Sequence, residues 1–290
     1  MRLLLFVLLF PSPPTHRDPL MSLDRDPSAG HDLAAAAVQA ELKPPFTFAL
    51  YGDTRDGHEV HAAILGRILR SGAKFVVSTG DLAYSADDDA AWNKWLELTK
   101  ELRAKLPLFA AKGNHDDGRL GRFEAQFKLD KPYYDRVKGP LHFVFLDTND
   151  LTDDQITWMK KTAGDSKSPV RIAVMHHPCF TLTGWRAKEA AQTHDKLHAL
   201  LRELKFDAVF CGHDHSFYST VRDDLRYVVT GGGGAPLYDI DEKRAQKGDL
   251  FRKFNHYLIV TVDLKKITAA VFDRDGKEAA DLRFTIWEKK

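Results

Sequence analysis

The chain has 290 residues, of which 43% are hydrophobic and 29% are charged, close to the averages of soluble globular proteins. This composition excludes a disordered chain, a collagen and a polytopic membrane protein, and the length fits one large α/β domain. The formal net charge of +1 leaves no basic surplus for a nucleic-acid backbone or an anionic membrane, so a nucleic-acid partner is not expected.

The first residues have the charge and the apolar length of a secretory signal. Met1 and Arg2 precede an apolar run from Leu3 to Phe10, which is far shorter than the ~20 residues of a transmembrane helix. The proline-rich stretch 11–14 follows in place of a good cleavage site. We therefore expect a secreted or periplasmic protein, or a cytoplasmic one if the natural chain starts at Met21.

A proline-rich linker is predicted before the folded part. Five prolines fall within the first 43 positions, and no apolar period survives over residues 11–43. We therefore expect residues 1–43 to be a signal-like segment with a linker, and residues 44–290 to form the domain. Short β-type runs then alternate with amphipathic helical stretches, as in βαβ units. The predicted strands are 46–51, 74–78 and 106–111, and the predicted helices are 59–71 and 90–103.

A second series of the same kind follows. The pattern from Thr152 to Gln155 is a capping box, which predicts the start of a helix. Strands are predicted at 141–146, 170–175 and 208–211, and a further helix at 193–204. From Phe217 onward the pattern is all-β, with strands at 227–230, 257–262, 267–272 and 282–287. Helices first and hairpins last predict two facing sheets with helices outside.

Five of the predicted strands end in side chains that can bind metals. They are Asp53, Asp81, Asn114, His176 and the pair His213 and His215. The reactive groups of open α/β sheets gather beyond the carboxyl ends of the strands. The intervals of 28, 33 and 37 residues from Asp53 to Asp81, from Asp81 to Asn114 and from His176 to His213 each fit one strand-helix-strand unit. We therefore expect all five strand ends at one edge, where preceding glycines let the backbone turn and a cation approach.

The predicted donors are hard or borderline ligands. Two carboxylates, one amide oxygen and three imidazoles suit Fe, Zn or Mn, and they are numerous enough for two ions. The two cysteines, Cys179 and Cys211, are too few for a cysteine-based zinc site or an iron-sulfur cluster. We expect them to be buried apolar side chains, with a disulfide in an oxidising compartment as the alternative.

The order of these motifs over residues 46–285 resembles the calcineurin-like metallophosphoesterases, and most of all their purple acid phosphatase-like bacterial branch. The run from Gly80 to Tyr84 is similar to the Gly-Asp-x-x-Tyr motif of purple acid phosphatases, whose tyrosine binds a ferric ion. The resemblance implies a four-layer αββα sandwich of two mixed sheets flanked by helices, with two metal ions, Fe with Zn, Fe or Mn. It implies that Asp81 bridges the ions, that Asp53, Tyr84 and His215 hold the first, and that Asn114, His176 and His213 hold the second.

The implied reaction is hydrolysis of a small or exposed phosphate ester, monoester or diester, by in-line attack of a metal-bridging hydroxide on phosphorus. A ferric and a divalent ion carry +5, from which two carboxylates, a phenolate and a hydroxide remove four. A net positive pocket favours an anionic ester, as in an acid phosphatase. His115, next to Asn114, is the candidate to protonate the leaving oxygen or to steady the phosphoryl group.

The first motif departs from the family pattern. Most of the superfamily has Asp-x-His there and the purple enzymes have Asp-x-Gly, whereas this chain has Asp53-Thr54-Arg55. An arginine cannot lose its charge to become a ligand, so the first ion has one ligand fewer unless Tyr84 supplies it. Arg55 is expected either to brace the substrate phosphate with a bidentate contact or to form a salt bridge with a nearby carboxylate.

Several other features are interpreted as structural. We predict that four histidines lie on solvated helix faces: His58, His61, His194 and His198. The last two have the spacing of a zincin metal site, but the glutamate of that motif is missing, so we do not interpret them as metal ligands. Residues 231–234 are four glycines, but the Lys-Ser/Thr pair of a P-loop does not follow them. We therefore expect the backbone of this glycine run to lie close to the site, without a role in nucleotide binding.

Two neighbouring features bear on the substrate. His177 is expected to alternate away from His176 if the strand continues, and a supporting role for it stays open. The loop 179–192 lacks the further histidine that purple acid phosphatases often place near the substrate, which leaves the substrate preference of this chain open.

Two other functions compete with a phosphoesterase. A nuclease on the same fold is disfavoured by the near-zero net charge and by the absence of a Lys/Arg block. A non-catalytic binding module would keep the sandwich for protein contacts, but it has no need for six metal ligands in register.

Overall fold

The computed structural model describes residues 42–289. The predicted signal-like segment and nearly all of the predicted linker lie outside these residues. The strands are β1 (Phe46–Tyr51), β2 (Val76–Ser78), β3 (Leu108–Ala110), β4 (Tyr134–Lys138), β5 (Leu141–Phe145), β6 (Val170–Val174), β7 (Ala208–Cys211), β8 (Phe217–Arg222), β9 (Leu225–Thr230), β10 (Leu250–Arg252), β11 (His256–Val262), β12 (Lys266–Asp273) and β13 (Phe284–Glu288). The α-helices are α1 (His58–Arg70), α2 (Asp89–Lys105), α3 (Arg122–Phe127), α4 (Asp153–Gly164) and α5 (Ala187–Glu203).

The strands form two mixed sheets. The first sheet has the order β13-β12-β11-β1-β2-β3, in which β1, β2 and β3 are parallel and the other neighbours antiparallel. The second has the order β10-β8-β9-β7-β6-β5-β4, in which β5, β6, β7 and β9 are parallel. Parallel strands at the centre of each sheet bring their carboxyl ends to one edge, where a site can form.

Side-chain alternation along the central strands fills two layers at once. Phe48 and Leu50 of β1 face the second sheet, whereas Ala49 and Tyr51 face the helices. The two sheets meet through aromatic rings: Phe48 lies edge-on to Phe143 of β5, with ring centroids 5.5 Å apart. This buried apolar layer packs the two sheets face to face.

Helices cover both outer faces. Ile64 and Ile68 of α1, with Leu102 of α2, pack on the outer face of the first sheet. Met159 of α4 and Leu197 of α5 pack on the outer face of the second. The predicted αββα sandwich with two facing mixed sheets is confirmed. Across residues 42–289, every helix is too short or too polar to cross a bilayer.

The predicted elements are observed with shifted ends, and some elements were not predicted. The helix predicted at 193–204 begins six residues earlier, at Ala187, and β4, β10 and α3 had no counterpart in the prediction. The capping prediction is correct in its first half, because Thr152 Oγ1 accepts a hydrogen bond from the Gln155 backbone N–H at 3.2 Å. The Gln155 side chain turns instead to the backbone of Asp147, where it both donates and accepts.

Candidate metal centre

The five predicted strand ends meet at one edge of the sandwich, where the two sheets are tied to each other. Asp53 and Asp81 follow β1 and β2 of the first sheet, and His176 and His213 follow β6 and β7 of the second. His176 Nδ1 donates to the Thr79 carbonyl oxygen at 2.8 Å, and the His213 backbone N–H donates to Asp53 Oδ1 at 3.0 Å. All four residues are at most 3% exposed.

One group of donor atoms surrounds His176 Nε2. Asn114 Oδ1 and His213 Nδ1 each lie 3.1 Å from this nitrogen, and Asp81 Oδ1 lies 3.4 Å from it. Two ligands of one zinc-like ion, each about 2.0–2.2 Å from it, lie roughly 3 Å apart. These four residues, the predicted ligands of the second ion, therefore have the spacing of a shared cation, and we call them the second position.

A further group contains three of the predicted ligands of the first ion. Asp53, Asp81 and His215 each offer one atom within 4.8 Å of the others, and all three are buried. His215 Nε2 lies 3.5 Å from Asp53 Oδ1. We call these residues the first position; Asp81 belongs to both positions, as a bridging carboxylate does.

In two of the imidazoles, the ring nitrogen that points away from the cluster makes a hydrogen bond with a backbone carbonyl oxygen. His176 Nδ1 contacts the Thr79 carbonyl oxygen, and His215 Nδ1 contacts the Pro236 carbonyl oxygen at 2.7 Å. A carbonyl oxygen only accepts, so Nδ1 is the donor in both rings and Nε2 is the ring nitrogen left to face the cluster. This arrangement is typical of metal-bound histidines.

Glu189 performs the same task for His213 and was not predicted. Glu189 Oε2 lies 2.9 Å from His213 Nε2, which leaves Nδ1 to face the second position. Burial lowers the pKa of His213 to about 4, against the opposing effect of Glu189, so the ring is neutral near pH 7. Arg186 Nη1 contacts both Glu189 Oε2 and His213 Nε2. Neither Arg186 nor Glu189 belongs to a motif, and only their separation by three residues, as on one face of a helix, links them in the sequence.

The residues present fit a pair of cations. Burial alone would lower the pKa of His176, but the Asp81 carboxylate raises it to about 9; the cluster thus attracts positive charge. A Cβ on Gly113 would lie 2.2 Å from Asp81 Oδ1, and one on Gly212 would lie 2.4 Å from Asp53 Oδ2. These glycines are required because ligand oxygens occupy the space of a side chain.

Asp116 is a second residue of the site with no predicted role. It directly follows His115 in the sequence, and it is buried. Its Oδ1 accepts the Leu82 backbone N–H and its Oδ2 accepts the Gly113 backbone N–H, both at 2.9 Å. Burial, with the nearby Asp81 charge, raises the pKa of Asp116 to about 7. Asp116 therefore holds together the loops after β2 and β3, which carry Asp81 and Asn114.

Tyr84 and His115 lie together at the rim. Their rings are 6.0 Å apart, and His115 Nδ1 donates to the Tyr84 carbonyl oxygen at 2.6 Å. The His115 backbone N–H donates to Asp81 Oδ1 at 2.9 Å. The Tyr84 side chain is 56% exposed, unlike the buried ligands of the first position. The structure thus places His115 beside the Asp81 carboxylate, and ligation by Tyr84 stays a prediction.

Arg55 lies beside carboxylates. Its Nη1 is 3.0 Å from Asp56 Oδ2, and its Nε is 3.6 Å from Asp81 Oδ2. The geometry matches the predicted salt bridge; a contact with substrate phosphate stays a prediction.

Two of the structural interpretations were wrong. His61 is buried under α1 with its Nε2 3.3 Å from the Tyr51 hydroxyl, and His198 is buried between the Tyr227 hydroxyl and Asp223. Both lie on the apolar stripe of their helix, because an imidazole with a hydrogen-bond partner can pack like an aromatic ring.

His177 takes part in the support of the site. Its Nδ1 contacts Thr148 Oγ1 at 2.8 Å and its Nε2 lies 3.5 Å from Glu189 Oε1. Cys179 and Cys211 are separate buried thiols, as expected. The run 231–234 approaches the site through its backbone, with the Gly233 N–H donating to the Gly52 carbonyl oxygen at 2.8 Å.

The space beside the second position is open and polar. A cavity of about 420 Å³ is lined by Asn114, His177 and Glu189 among others. A smaller cavity of about 290 Å³, lined by Tyr84 and His115, shares Asn114 with it. A small polar molecule can therefore reach the second position from either side.

Comparison with known proteins gives one consistent result. The sequence profile of the calcineurin-like phosphoesterase family matches residues 46–217. Purple acid phosphatase 5 of Arabidopsis thaliana is 23% identical over 203 residues, which cover 67% of this chain and 50% of that protein. Tartrate-resistant acid phosphatase type 5 of Sus scrofa is 30% identical over 231 residues, which cover 64% of this chain and 65% of that protein.

Solved structures share the fold at low identity. The purple acid phosphatase PPD1 of yellow lupin superposes with a TM-score of 0.73 at 16% identity, over 84% of this chain and 54% of that one. GAP50, described as an anchor in the inner membrane complex of Plasmodium, superposes with a TM-score of 0.67 at 15% identity, over 86% of this chain and 90% of that one. The chain spans about half the length of the plant enzymes it matches.

Proposed function

The chain belongs to the calcineurin-like phosphoesterase family, and we propose that it is a metal-dependent hydrolase of phosphate esters. The cluster around His176 Nε2 carries this proposal, because a carboxylate, an amide oxygen and a second imidazole lie within 3.1–3.4 Å of that atom. With both imidazoles neutral, most of these atoms are acceptors that cannot satisfy one another by hydrogen bonds. The raised pKa of His176 shows that the cluster favours a positive charge among them, which a shared metal cation also supplies. The acid phosphatases among its relatives support a phosphate ester as the substrate.

We propose Fe with Zn, Fe or Mn as the bound pair, with Tyr84 as a further ligand of the first ion. When bound, the two cations would supply the positive charge that polarises a phosphoryl group and lowers the pKa of the attacking water. The protein holds the donors in place beforehand, because each imidazole is fixed by an outer partner on a different element.

His115 is our candidate for the proton that the leaving oxygen needs. Its Nδ1 is engaged by the Tyr84 carbonyl oxygen, so Nε2 is the ring atom available to a substrate. Its backbone N–H is fixed by Asp81, which places the ring at the rim of the cluster. A proton donor positioned in this way contributes typically about 10²–10⁴-fold to the rate.

The test is hydrolysis of a chromogenic phosphate monoester beside its diester by the full chain. The protein is stripped of metal and then loaded with Fe and Zn, or with Mn, against a chelated sample of each. We expect a chelator-sensitive rate on at least one ester, and a ratio above about tenfold between the two would identify a monoesterase or a diesterase.

Two variants connect the rate to named side chains. His176→Ala removes the donor at the middle of the second position and is expected to abolish the rate and one equivalent of bound metal. His115→Ala is expected to lower kcat by about 10²-fold or more with metal content unchanged. His194→Ala, a partly exposed histidine of α5 outside the centre, is the matched control. A chain that binds two ions yet shows no rate above the chelated sample on either ester would contradict the proposal and favour a binding module.

A further inference from the structure

Arg55 introduces a fixed positive charge beside Asp81 Oδ2, whereas the second position uses the other oxygen of that carboxylate, Oδ1. The side chain is only 13% exposed, and its Nε lies 3.6 Å from Asp81 Oδ2, the bridging carboxylate. Within residues 42–289, this buried Nε has no hydrogen-bond partner. The guanidinium is therefore held near the carboxylate by charge and packing, without a directed hydrogen bond from Nε.

The charge around Arg55 is only partly balanced. Asp56 Oδ2 lies 3.0 Å from Nη1, but the Asp56 side chain is 26% exposed, so water weakens its attraction for Arg55. Asp81 is 2% exposed and is needed for the bridging role. A cation at the first position would thus share its carboxylate with a guanidinium that cannot lose its charge.

The two positions also differ in their donors. Asp81, Asn114, His176 and His213 supply four at the second position, and each imidazole there has an outer partner. Asp53, Asp81 and His215 supply three buried donors at the first position. Tyr84, the further ligand proposed there, is 56% exposed and is therefore not held in place like the other three. The third place of the first motif, where a histidine could have added another buried donor, is occupied by Arg55.

We infer that Arg55 makes the two cation positions unequal, so that the first position binds its ion more weakly than the second. The inference deepens the proposed function and rests on its two-ion centre. Like charges a few ångströms apart in a buried site repel each other strongly, and water screens them little there. A chain with only the second position filled is then a populated state at low metal concentration.

The test is direct titration of Mn²⁺ into the metal-free full chain, with bound manganese counted by elemental analysis after equilibrium dialysis. We expect two binding steps in the unaltered chain, separated by at least about tenfold in Kd. His215→Ala should remove the weaker step and keep the stronger one, which assigns the weaker step to the first position.

Three substitutions at one residue separate charge from shape. Arg55→Gln removes the cation, so we expect the weaker step to tighten by about tenfold or more. Arg55→Lys keeps a cation, so we expect two separated steps as before. Arg55→His removes the charge and adds a donor, so we expect the greatest tightening. Arg283→Gln removes an exposed arginine of an ion pair with Glu278 and should change neither step.

Thermal melting of each metal-free variant shows whether it folds. Two equal steps in the unaltered chain, or an unchanged weaker step in folded Arg55→Gln, would overturn the inference. Unequal binding without any ester hydrolysis would overturn the proposed function alone, and a chain that binds no manganese would overturn both.

Discussion

Three of the candidate ligands adopt a backbone conformation that side chains usually avoid. Asp53, Asp81 and His213 have φ of 59°, 53° and 68°. Each such residue costs of order 1–3 kcal/mol and persists only where its surroundings over-determine it. Here the surroundings do so, because the Asp53 N–H donates to the Gly80 carbonyl oxygen and the Asp53 carboxylate accepts the His213 N–H. The expectation that the preceding glycines make the turns was therefore incomplete, since the ligands themselves turn.

Glu189 is expected to act on the second position through His213. Glu189→Ala removes the acceptor that orients His213, so we predict a roughly 10–100-fold weaker Mn²⁺ affinity at that position. Glu189→Gln keeps an acceptor without the charge and should lose less. The measurement is the Kd of the stronger binding step in a dialysis titration.

Glu203→Ala is the matched control for this prediction, because Glu203 is an exposed glutamate at the other end of the same helix. It should leave the Kd unchanged. Equal losses in Glu189→Ala and Glu203→Ala would mean that the helix as a whole, and not the contact with His213, sets the affinity.

At the scale of elements, the strands nearest the centre were the most predictable. β1 alternates between two buried layers and β7 is buried throughout, and both contrast sharply with the polar residues that follow them. The first turn of α5 was missed because only Ala190 is buried before Thr193, so its apolar period is too weak to read. That unread turn carries Glu189, which explains why a residue supporting His213 was not predicted.

The short outer elements escaped prediction for a related reason. β10 has only three residues, none of them buried, and β4 buries only its two end residues. Their pairing is set by neighbouring strands and not by their own pattern, which is why edge strands are difficult to predict from sequence.

The contact between α1 and β1 predicts a loss of stability in acid. Burial lowers the pKa of His61 to about 3, below its value of 6.5 in an unfolded chain. Between these values the unfolded chain binds one more proton, so the free energy of unfolding falls as the pH falls below about 6.5. At pH 4.5 this amounts to about 2–3 kcal/mol relative to pH 7.

His61→Gln tests this contribution, because glutamine can still meet the Tyr51 hydroxyl but does not titrate. Urea unfolding of both chains at pH 7 and pH 4.5, in chelator, gives the two pH-dependent losses, and their difference isolates His61. We expect the variant to lose about 2 kcal/mol less than the unaltered chain. Equal losses in the two chains would show that His61 stays neutral in both states or is protonated within the fold.

At the scale of the whole molecule, the order of the motifs and the sandwich could be predicted together, because strand ends in α/β proteins fall at one edge. The register between the two sheets could not be predicted. It depends on contacts such as His176 with the Thr79 carbonyl oxygen, which joins residues 97 positions apart. No local pattern specifies a contact between a side chain of one sheet and the backbone of the other.

The same contacts join the two sheets at the candidate metal centre. We therefore predict that metal binding raises the free energy of unfolding of the whole domain. Asp53 and Asp81 come from the first sheet and His176, His213 and His215 from the second, so bound ions stabilise only the folded arrangement. A free ion at 100 times its Kd adds about 2.7 kcal/mol. For a domain of this size we expect the thermal midpoint to rise by roughly 5–10 °C when Mn²⁺ replaces chelator.

Asp81→Ala, which removes the donor common to both positions, should abolish most of that rise, whereas His194→Ala should keep it. A rise of the same size in Asp81→Ala would mean that the stabilising ions bind elsewhere on the chain.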